Sequence, residues 1–485
     1  MIKLLLHKYQ TMHKAAKAAF WFMICSFLQK GMSILTTPIF TRLMSTEQYG
    51  QFTVYSSWLN ILTVITTLRL NYSVFNKGMS KYKDRRGEYT STMQYITSAM
   101  CLLLLLIYLL FRNSINRLTE LPTFIMLAII GELMVTPAIS FWTLKKRYEY
   151  VYRDVVIRTL LMALFNALLG VLAVITQEEK GYARILSCVI VNICFGIPIY
   201  LYNLKKGDFK FNREYAQFAL LFNLPLIGHF VSIYILDQFD RIMIQKMVSF
   251  EAAALYGLTY HIGTLLKMFT TSLSHAMIPW MYGKLEKRDF AAVDHVIFSV
   301  SILVALIDIG IIVIAPEAIA IFAPARYMEA VYVVPPVALG IVFQFLYVLY
   351  GNVELFFDYN KATMFISGGA ALLNVVLNYV GIRMFGYIAA AYTTLLCYIL
   401  MSIGHYLYMM YGIKKTTGDN APFHGQRMIV LSSVLLSSGI LLIFLYPYTI
   451  VRYVLVAFAV CVAFLKRKII LNLLQSIRKP ENERS

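Results

Sequence analysis

Apolar runs of about 20 residues recur from one end of this 485-residue chain to the other. Each is long enough for a helix to cross a hydrocarbon core of ~30 Å. Only 14% of the residues are charged, where a soluble chain of this size carries about 25%, and 59% are hydrophobic, with a mean hydropathy of +0.66. The reading is an all-α polytopic membrane protein, with no loop long enough to form a separate soluble domain.

Fourteen spans are expected, near 18–40, 49–69, 90–111, 121–143, 155–176, 182–202, 215–236, 253–280, 295–315, 331–352, 362–382, 387–411, 428–446 and 449–465. Lysine and arginine sort across the loops between them, 31 on one side and 9 on the other. The richer side is read as cytoplasmic, which places both termini there. An even number of spans satisfies this, fourteen or twelve. The net charge of +19 is therefore topological, and it excludes nucleic acid as a partner.

A weak internal repeat relates two stretches. Ser45-Thr-Glu-Gln-Tyr-Gly-Gln-Phe opens the second span, and Ser249-Phe-Glu-Ala-Ala-Ala-Leu-Tyr opens the eighth. Arg42 and Lys246 precede them at the same offset, and a charged loop follows each span. Copies six spans apart run parallel, related by an axis along the membrane normal. The expected architecture is two six-helix lobes with that pseudo-two-fold axis, residues 1–206 and 207–412. Residues 413–485 add two C-terminal helices and a basic tail. Ser45 and Ser249 read as helix N-caps, with Glu47 and Glu251 in the acidic first turn. The tail from Lys466 to Lys479 reads as an interfacial amphipathic helix. The basic N-terminus, Met1 to Lys17, shows no cleavable signal peptide.

Enzyme motifs are missing from the sequence. No phosphate-binding glycine loop with Lys-Ser/Thr occurs, and no H-x-x-x-H pair. The six cysteines lie within apolar spans at spacings that suit neither metal nor disulfide, and read as free buried thiols. A transporter is favoured over an enzyme, and no metal or cofactor is expected.

The informative residues are polar ones inside spans, since a mid-bilayer charge costs about 2.5–3.5 kcal/mol or more. Lys30 and Lys267 sit near the middle of spans one and eight, and Arg69 at the inner end of span two. One reading is a cationic cavity for an anionic substrate. The other pairs the two lysines with Glu132 of span four or Asp308 of span nine. Asp240 and Arg241, at the outer end of span seven, read as a local salt bridge or a gate. His229, His261 and His405 read as packing histidines, with proton relay as the alternative.

The stretch from Ala318 to Tyr392 organises the chain. A helical span to Tyr350 is followed by a polar hinge, Glu354 to Lys361, and then by Asn374 and Asn378 on one face of an apolar helix. An unpaired amide is costly in hydrocarbon, so that face points at protein or water. Small residues from Gly386 to Ala391 let the next helix start close against its neighbour.

As strings, Pro38 to Gly50, Asp240-Arg241, Phe322 to Pro336 and Lys361 to Thr394 resemble the Wzx-type polysaccharide and O-antigen flippases of the MATE-like (MOP) exporter superfamily. The resemblance implies translocation of an undecaprenyl-pyrophosphate-linked oligosaccharide repeat unit across the bacterial inner membrane by alternating access. It implies drive by an ion gradient, H+ or Na+, and work beside a polysaccharide polymerase and chain-length machinery for O-antigen, capsule or exopolysaccharide. It also implies a cavity lined by cations in spans one, two and eight, where Lys30, Arg69 and Lys267 stand. Two of these are lysines rather than arginines, which trades a bidentate fork for a point charge. The rival readings are a cation-coupled multidrug antiporter and a membrane polymerase or glycosyltransferase. The first wants acidic cavity residues, and the second wants catalytic carboxylates or large outer loops.

Overall fold

A computed structural model describes residues 13–359, 362–418, 424–455 and 457. Among them every regular element is helical. Packing divides the chain after Ala254 into two compact units.

The first unit contains α1 (Lys14–Leu43), α2 (Thr46–Thr67), α3 (Ser73–Lys81), α4 (Arg86–Leu110), α5 (Arg112–Thr119), α6 (Thr123–Tyr148), α7 (Arg153–Thr176), α8 (Lys180–Lys206) and α9 (Arg213–Met247). α10 (Phe250–Glu286) begins in this unit and continues into the second. The second unit holds α11 (Phe290–Val313), α12 (Ala315–Phe322), a 3-10 segment (Ala325–Val333), α13 (Val334–Phe356), α14 (Thr363–Phe385), α15 (Ala389–Thr417) and α16 (Gly425–Phe444). In the first unit α8 packs on α6 and α7, α1 on α7, and α9 on α2. In the second, α15 packs on α13 and α14, and α11 on α13 and α16.

The first thirteen expected spans each coincide with a long helix. Of the fourteenth, residues 449–455 are helical and most of the remainder lies outside the described residues, as do Cys461, the tail from Lys466, most of Met1 to Lys17, and Lys361. Ten described helices are long and apolar enough to cross a membrane, or eleven when the two halves of α9 count as one span. Those halves, Arg213–Leu224 and Leu226–Met247, are bent by 56°, where the sequence carries Pro225, which has no backbone N–H to donate. The fourteenth expected span lies mostly outside the described residues, and two others miss this measure for a physical reason. α2 and α10 are 22 and 37 residues long, but both are rich in Ser, Thr, Tyr and other polar residues.

Capping follows the expectation drawn from the repeat. The Ser45 hydroxyl accepts from Gln48 N at 3.1 Å while Gln48 Oε1 accepts from Ser45 N at 3.0 Å, a reciprocal capping box. The Ser249 hydroxyl accepts from Ala252 N at 3.2 Å. Asn212 and Asp289 cap α9 and α11 in the same way. The outward face is apolar, with Phe27, Leu35, Leu168 and Leu172 all more than half exposed. Such faces suit a chain whose solvent is lipid. Three cysteines are buried and Cys188 is partly so, but Cys194 is exposed, because it sits on the outward face of α8. None of the five described cysteines is in a disulfide.

Small residues set the closest approaches. A Cβ built on Gly87, in the first turn of α4, would fall 2.0 Å from the carbonyl oxygen of Lys206 at the end of α8. Gly50 on α2 lies as tightly against the backbone of Phe250 at the start of α10. In the second unit the helix from residue 449 is tied down by Arg452. Its two terminal nitrogens donate to Glu317 at 2.7 and 2.8 Å, and one also reaches the carbonyl of Val313 at 2.9 Å.

Two predictions follow from these contacts. Gly87→Ala lowers the melting temperature in detergent, by the equivalent of about 1–3 kcal/mol. Gly31→Ala, at a site with nothing within 4 Å of the added carbon, does not lower it. The second concerns Glu317, in a connecting helix outside the membrane-spanning segments. Hydrogen bonding from Arg452 holds its carboxyl below the usual carboxylate range. A depressed folded-state value gives stability that is fully present above the unfolded carboxyl value of about 4.3, lost as pH falls through the folded value. Thermal unfolding of Glu317→Gln between pH 6 and 3 is therefore expected to lose less stability with acid than the wild type.

Candidate functional site

The cations proposed for the cavity occupy three different settings. Lys30 is exposed on α1 and has no hydrogen-bond or ion-pair partner among the described residues. Lys267 is half-buried on α10, in the second unit, and its carbonyl receives the hydroxyl of Thr271 at 2.6 Å. Arg69 is the most elaborately held of the three.

The position of Arg69 begins with the backbone. Leu68 and Arg69 both adopt left-handed conformations, φ 47° and 53°. Two consecutive non-glycine residues there carry strain of order 1–3 kcal/mol each, which the surroundings must hold in place. The Thr67 hydroxyl accepts from Arg69 N at 3.2 Å, Asn223 donates to the Leu68 carbonyl, and Leu70 is fully buried against Val74, Phe75 and Phe141. With Leu70 anchored on that side, the Arg69 side chain passes to α9. Its guanidinium donates to Tyr234 OH at 3.1 Å and lies 5.1 Å from the ring centres of Tyr72 and Phe230 and 5.4 Å from that of Tyr234. Tyr72 and Phe230 meet edge to face at 5.3 Å. Arg69 Nε is buried without a partner, and no carboxylate pairs with the group among the described residues. Ring faces attract a cation by about 0.5–2 kcal/mol without neutralising it. The arrangement is a preformed, half-buried positive charge with donors to spare.

Glu132 is otherwise engaged. It is 2% exposed, receives the hydroxyl of Tyr55 on one oxygen, and receives Asn192 Nδ2 at 2.7 Å on the other. Asp308 is fully buried in α11, and both of its oxygens lack a hydrogen-bond partner among the described residues. Among the described residues neither carboxylate pairs with a lysine. Asp240 and Arg241 are both buried on α9, and Arg241 donates to the Asp237 carbonyl at 3.2 Å and to Gln238 Oε1 at 2.7 Å.

Asn374 and Asn378 are brought together. Both are fully buried between α14 and α15. Asn378 Nδ2 donates to Asn374 Oδ1 at 3.1 Å, Asn374 Nδ2 donates to Thr394 at 2.8 Å, and the Thr393 hydroxyl donates to Asn378. The amide face points at protein, where α15 supplies the partners. Gly381 and Ala389 allow the approach, since a Cβ on Gly381 would lie 3.4 Å from that of Ala389.

Three groups escaped the sequence reading. Arg184, counted there with the outer loop charges, is 8% exposed inside α8. It stacks on Phe40 and Phe52 at 4.2 and 5.0 Å and donates to the Asn166 carbonyl at 3.1 Å. Glu354, placed in a polar hinge, lies in the last turn of α13 and is 1% exposed, facing His405. The third is the Tyr55–Glu132–Asn192 network. The missed signal for Glu354 was helical phase, for Tyr347, Gly351 and Glu354 continue one face.

A family model described as "Polysaccharide biosynthesis protein" matches residues 15–283, more than half of the chain. The chain belongs to this family. A relative in Haloferax volcanii, described as a probable low-salt glycan biosynthesis flippase, Agl15, is 21% identical over 82% of this chain and 84% of its own length. Another, the Lsg locus putative protein 1 of Haemophilus influenzae, is 22% identical over 57% of this chain and 68% of its own. Among solved structures, the lipid II flippase MurJ in an inward closed conformation shares 14% identity with a TM-score of 0.65, over 93% of this chain and 99% of MurJ. An inward-facing multidrug-resistance MATE transporter of the MOP superfamily shares 13% with a TM-score of 0.58, over 83% and 98%. At these identities the likeness is one of fold, and it is the all-helical membrane fold expected.

The buried polar groups generate a pair of predictions. Asp308→Leu raises the melting temperature in detergent, because an unpartnered buried polar group costs about 1–3 kcal/mol. Tyr55→Phe lowers it by a similar amount, because Glu132 keeps its burial and loses a donor. Thermal unfolding of the two variants beside wild type checks both signs.

Proposed function

We propose that this protein is a transporter, a flippase that moves a polyprenyl-pyrophosphate-linked oligosaccharide across the bacterial inner membrane. The observation that carries the reading is Arg69, a half-buried guanidinium held by three aromatic rings with no carboxylate paired to it among the described residues. A pyrophosphate matches its planar donors, and the rings keep the charge in place between substrates. Membership of a polysaccharide biosynthesis family supports a glycan cargo, as does the description of the Haloferax relative as a glycan biosynthesis flippase.

In this reading the substrate is an undecaprenyl-pyrophosphate repeat unit for O-antigen, capsule or exopolysaccharide. Arg69, with Lys30 and Lys267, receives the pyrophosphate, while the polyprenyl tail stays in lipid. Alternating access of a 1–206 lobe and a 207–412 lobe, drawn by an H+ or Na+ gradient, carries the head group across. Asp240 and Arg241 serve the gate, and Glu132 and Asp308 are the acidic groups available for coupling. Both termini face the cytoplasm, and a polysaccharide polymerase and chain-length machinery take the product. The multidrug-antiporter reading gains nothing from Glu132, whose two oxygens already accept hydrogen bonds; Asp308, with no partner on either oxygen among the described residues, is the carboxylate a drug cation would seek.

The test is translocation of a labelled polyprenyl-pyrophosphate oligosaccharide in proteoliposomes. Wild type is expected to flip the lipid. Arg69→Ala, and Lys30→Ala with Lys267→Ala, are expected to reconstitute and to lose about tenfold or more of the rate, the effect of ~1.4 kcal/mol in lost stabilisation. Equal rates in all three would remove these cations from the site. Exchange of small drug cations for protons, with no lipid flipped, would favour the antiporter.

A further inference from the structure

His405 on α15 and Glu354 in the last turn of α13 form a pair that no part of the proposed transport site uses. Their side chains are 1% and 0% exposed. His405 Nδ1 lies 3.0 and 3.2 Å from the two carboxyl oxygens of Glu354. Thr363, at the start of α14, donates its hydroxyl to Glu354 Oε2 at 3.1 Å, so the pair joins three helices. The ring of Tyr347 stacks on the imidazole at 5.6 Å and 25°. His405 Nε2 is buried and has no hydrogen-bond partner among the described residues.

Charge counting gives this arrangement a chemistry. With one proton on Nδ1 and the carboxylate ionised, the pair carries a net charge of −1 in a site closed to the surface. A dry interior penalises that charge strongly. A second proton, on Nε2, makes the pair neutral. Among the described residues no lysine or arginine pairs with either member to supply the charge instead. Of the groups that face the pair, α13 presents Tyr347 and α14 presents the neutral Thr363. Tyr350 of α13 meets Tyr406 of α15 edge to face at 5.4 Å, and both lie within electrostatic reach of Asp294 on α11. Asp294 is in turn held by His424 at the start of α16, 2.6 Å from its Nδ1.

We infer that Glu354 and His405 form a proton-binding site of the second unit, taking up and releasing one proton as a pair. The proton-bound pair is neutral and stable when dry. The proton-free pair is negative and needs water, which reaches Nε2 only when the α13–α14–α15 junction opens. Proton release and opening of that junction are therefore linked. The proton site itself does not depend on the glycan; its use to drive glycan movement rests on the flippase reading.

The test follows the 15N signals of His405 in histidine-labelled protein in lipid nanodiscs, without substrate. The signals are assigned by their loss in His405→Gln or His405→Asn, whichever folds. Wild type is expected to show a one-proton change at His405 within the pH range over which the protein stays folded. Glu354→Gln removes the anion facing the imidazolium, so the midpoint falls by about one pH unit or more, tenfold in proton affinity. Thr363→Val removes a hydrogen bond that favours the charged carboxylate, so the midpoint rises; it serves where Glu354→Gln does not fold. An imidazole that keeps one state across the whole range overturns the inference. So does a midpoint that neither variant moves. Because no glycan is present, the result is independent of whether the protein flips lipid-linked oligosaccharides.

Discussion

Hydrocarbon offers no partner to a charge or an amide, and the structure follows from that one constraint. Helices satisfy the backbone, and their outward faces are left to Leu, Ile and Phe. Each polar side chain inside a span must then be held by another part of the protein. Asn374 and Asn378 find each other and two threonines. Glu132 finds Tyr55 and Asn192. Against that background the groups that are left over stand out. Among the described residues Arg69 has rings but no carboxylate, both oxygens of Asp308 lack a partner, and so does one nitrogen of His405, as do a few other buried atoms such as Arg184 Nε. In lipid such incompleteness is expensive, and the economical physical reading is that a ligand, a water or a proton completes the site.

The same constraint explains why Arg69 stands among aromatic rings. A guanidinium between ring faces keeps its charge and its free donors, whereas a carboxylate partner would cancel both. Arg184 shows the structural version of this arrangement, since its stacking on Phe40 and Phe52 is joined to a backbone carbonyl in a fully packed site. Arg69 differs in being half-buried beside Tyr72, which is 51% exposed. The proposed recognition of an anionic head group rests on that opening.

Much of the fold was legible because helix length and capping are local. Spans coincide with helices, and Ser45 and Ser249 cap where the repeat placed them. The Asn374–Asn378 face was legible because two amides four residues apart in an apolar helix have only one side to point to. Partner identity was not. Nothing near Glu354 in the chain announces His405, 51 residues on, and its neighbours read as a hinge because Asp358 and Asn360 follow. Arg184 sits close to a loop in sequence, yet folds inward because Gly170 of α7 leaves it room: a Cβ there would stand 2.5 Å from its guanidinium. Long-range packing decides such cases, and a single sequence does not carry it. The strained turn at Leu68 and Arg69 was hidden for another reason, because no glycine or asparagine marks it.

The central claim is that an unneutralised guanidinium recognises the phosphates of a lipid-linked glycan. The most direct measurement is the affinity of the purified protein, by native mass spectrometry, for two lipids that differ only there: a polyprenyl-pyrophosphate oligosaccharide and the same glycan on a neutral polyprenyl ether. The account predicts that the pyrophosphate lipid binds at least about tenfold more tightly, a difference of ~1.4 kcal/mol, and that Arg69→Ala abolishes the preference. Equal binding of the two lipids, or a preference untouched in Arg69→Ala, would contradict it.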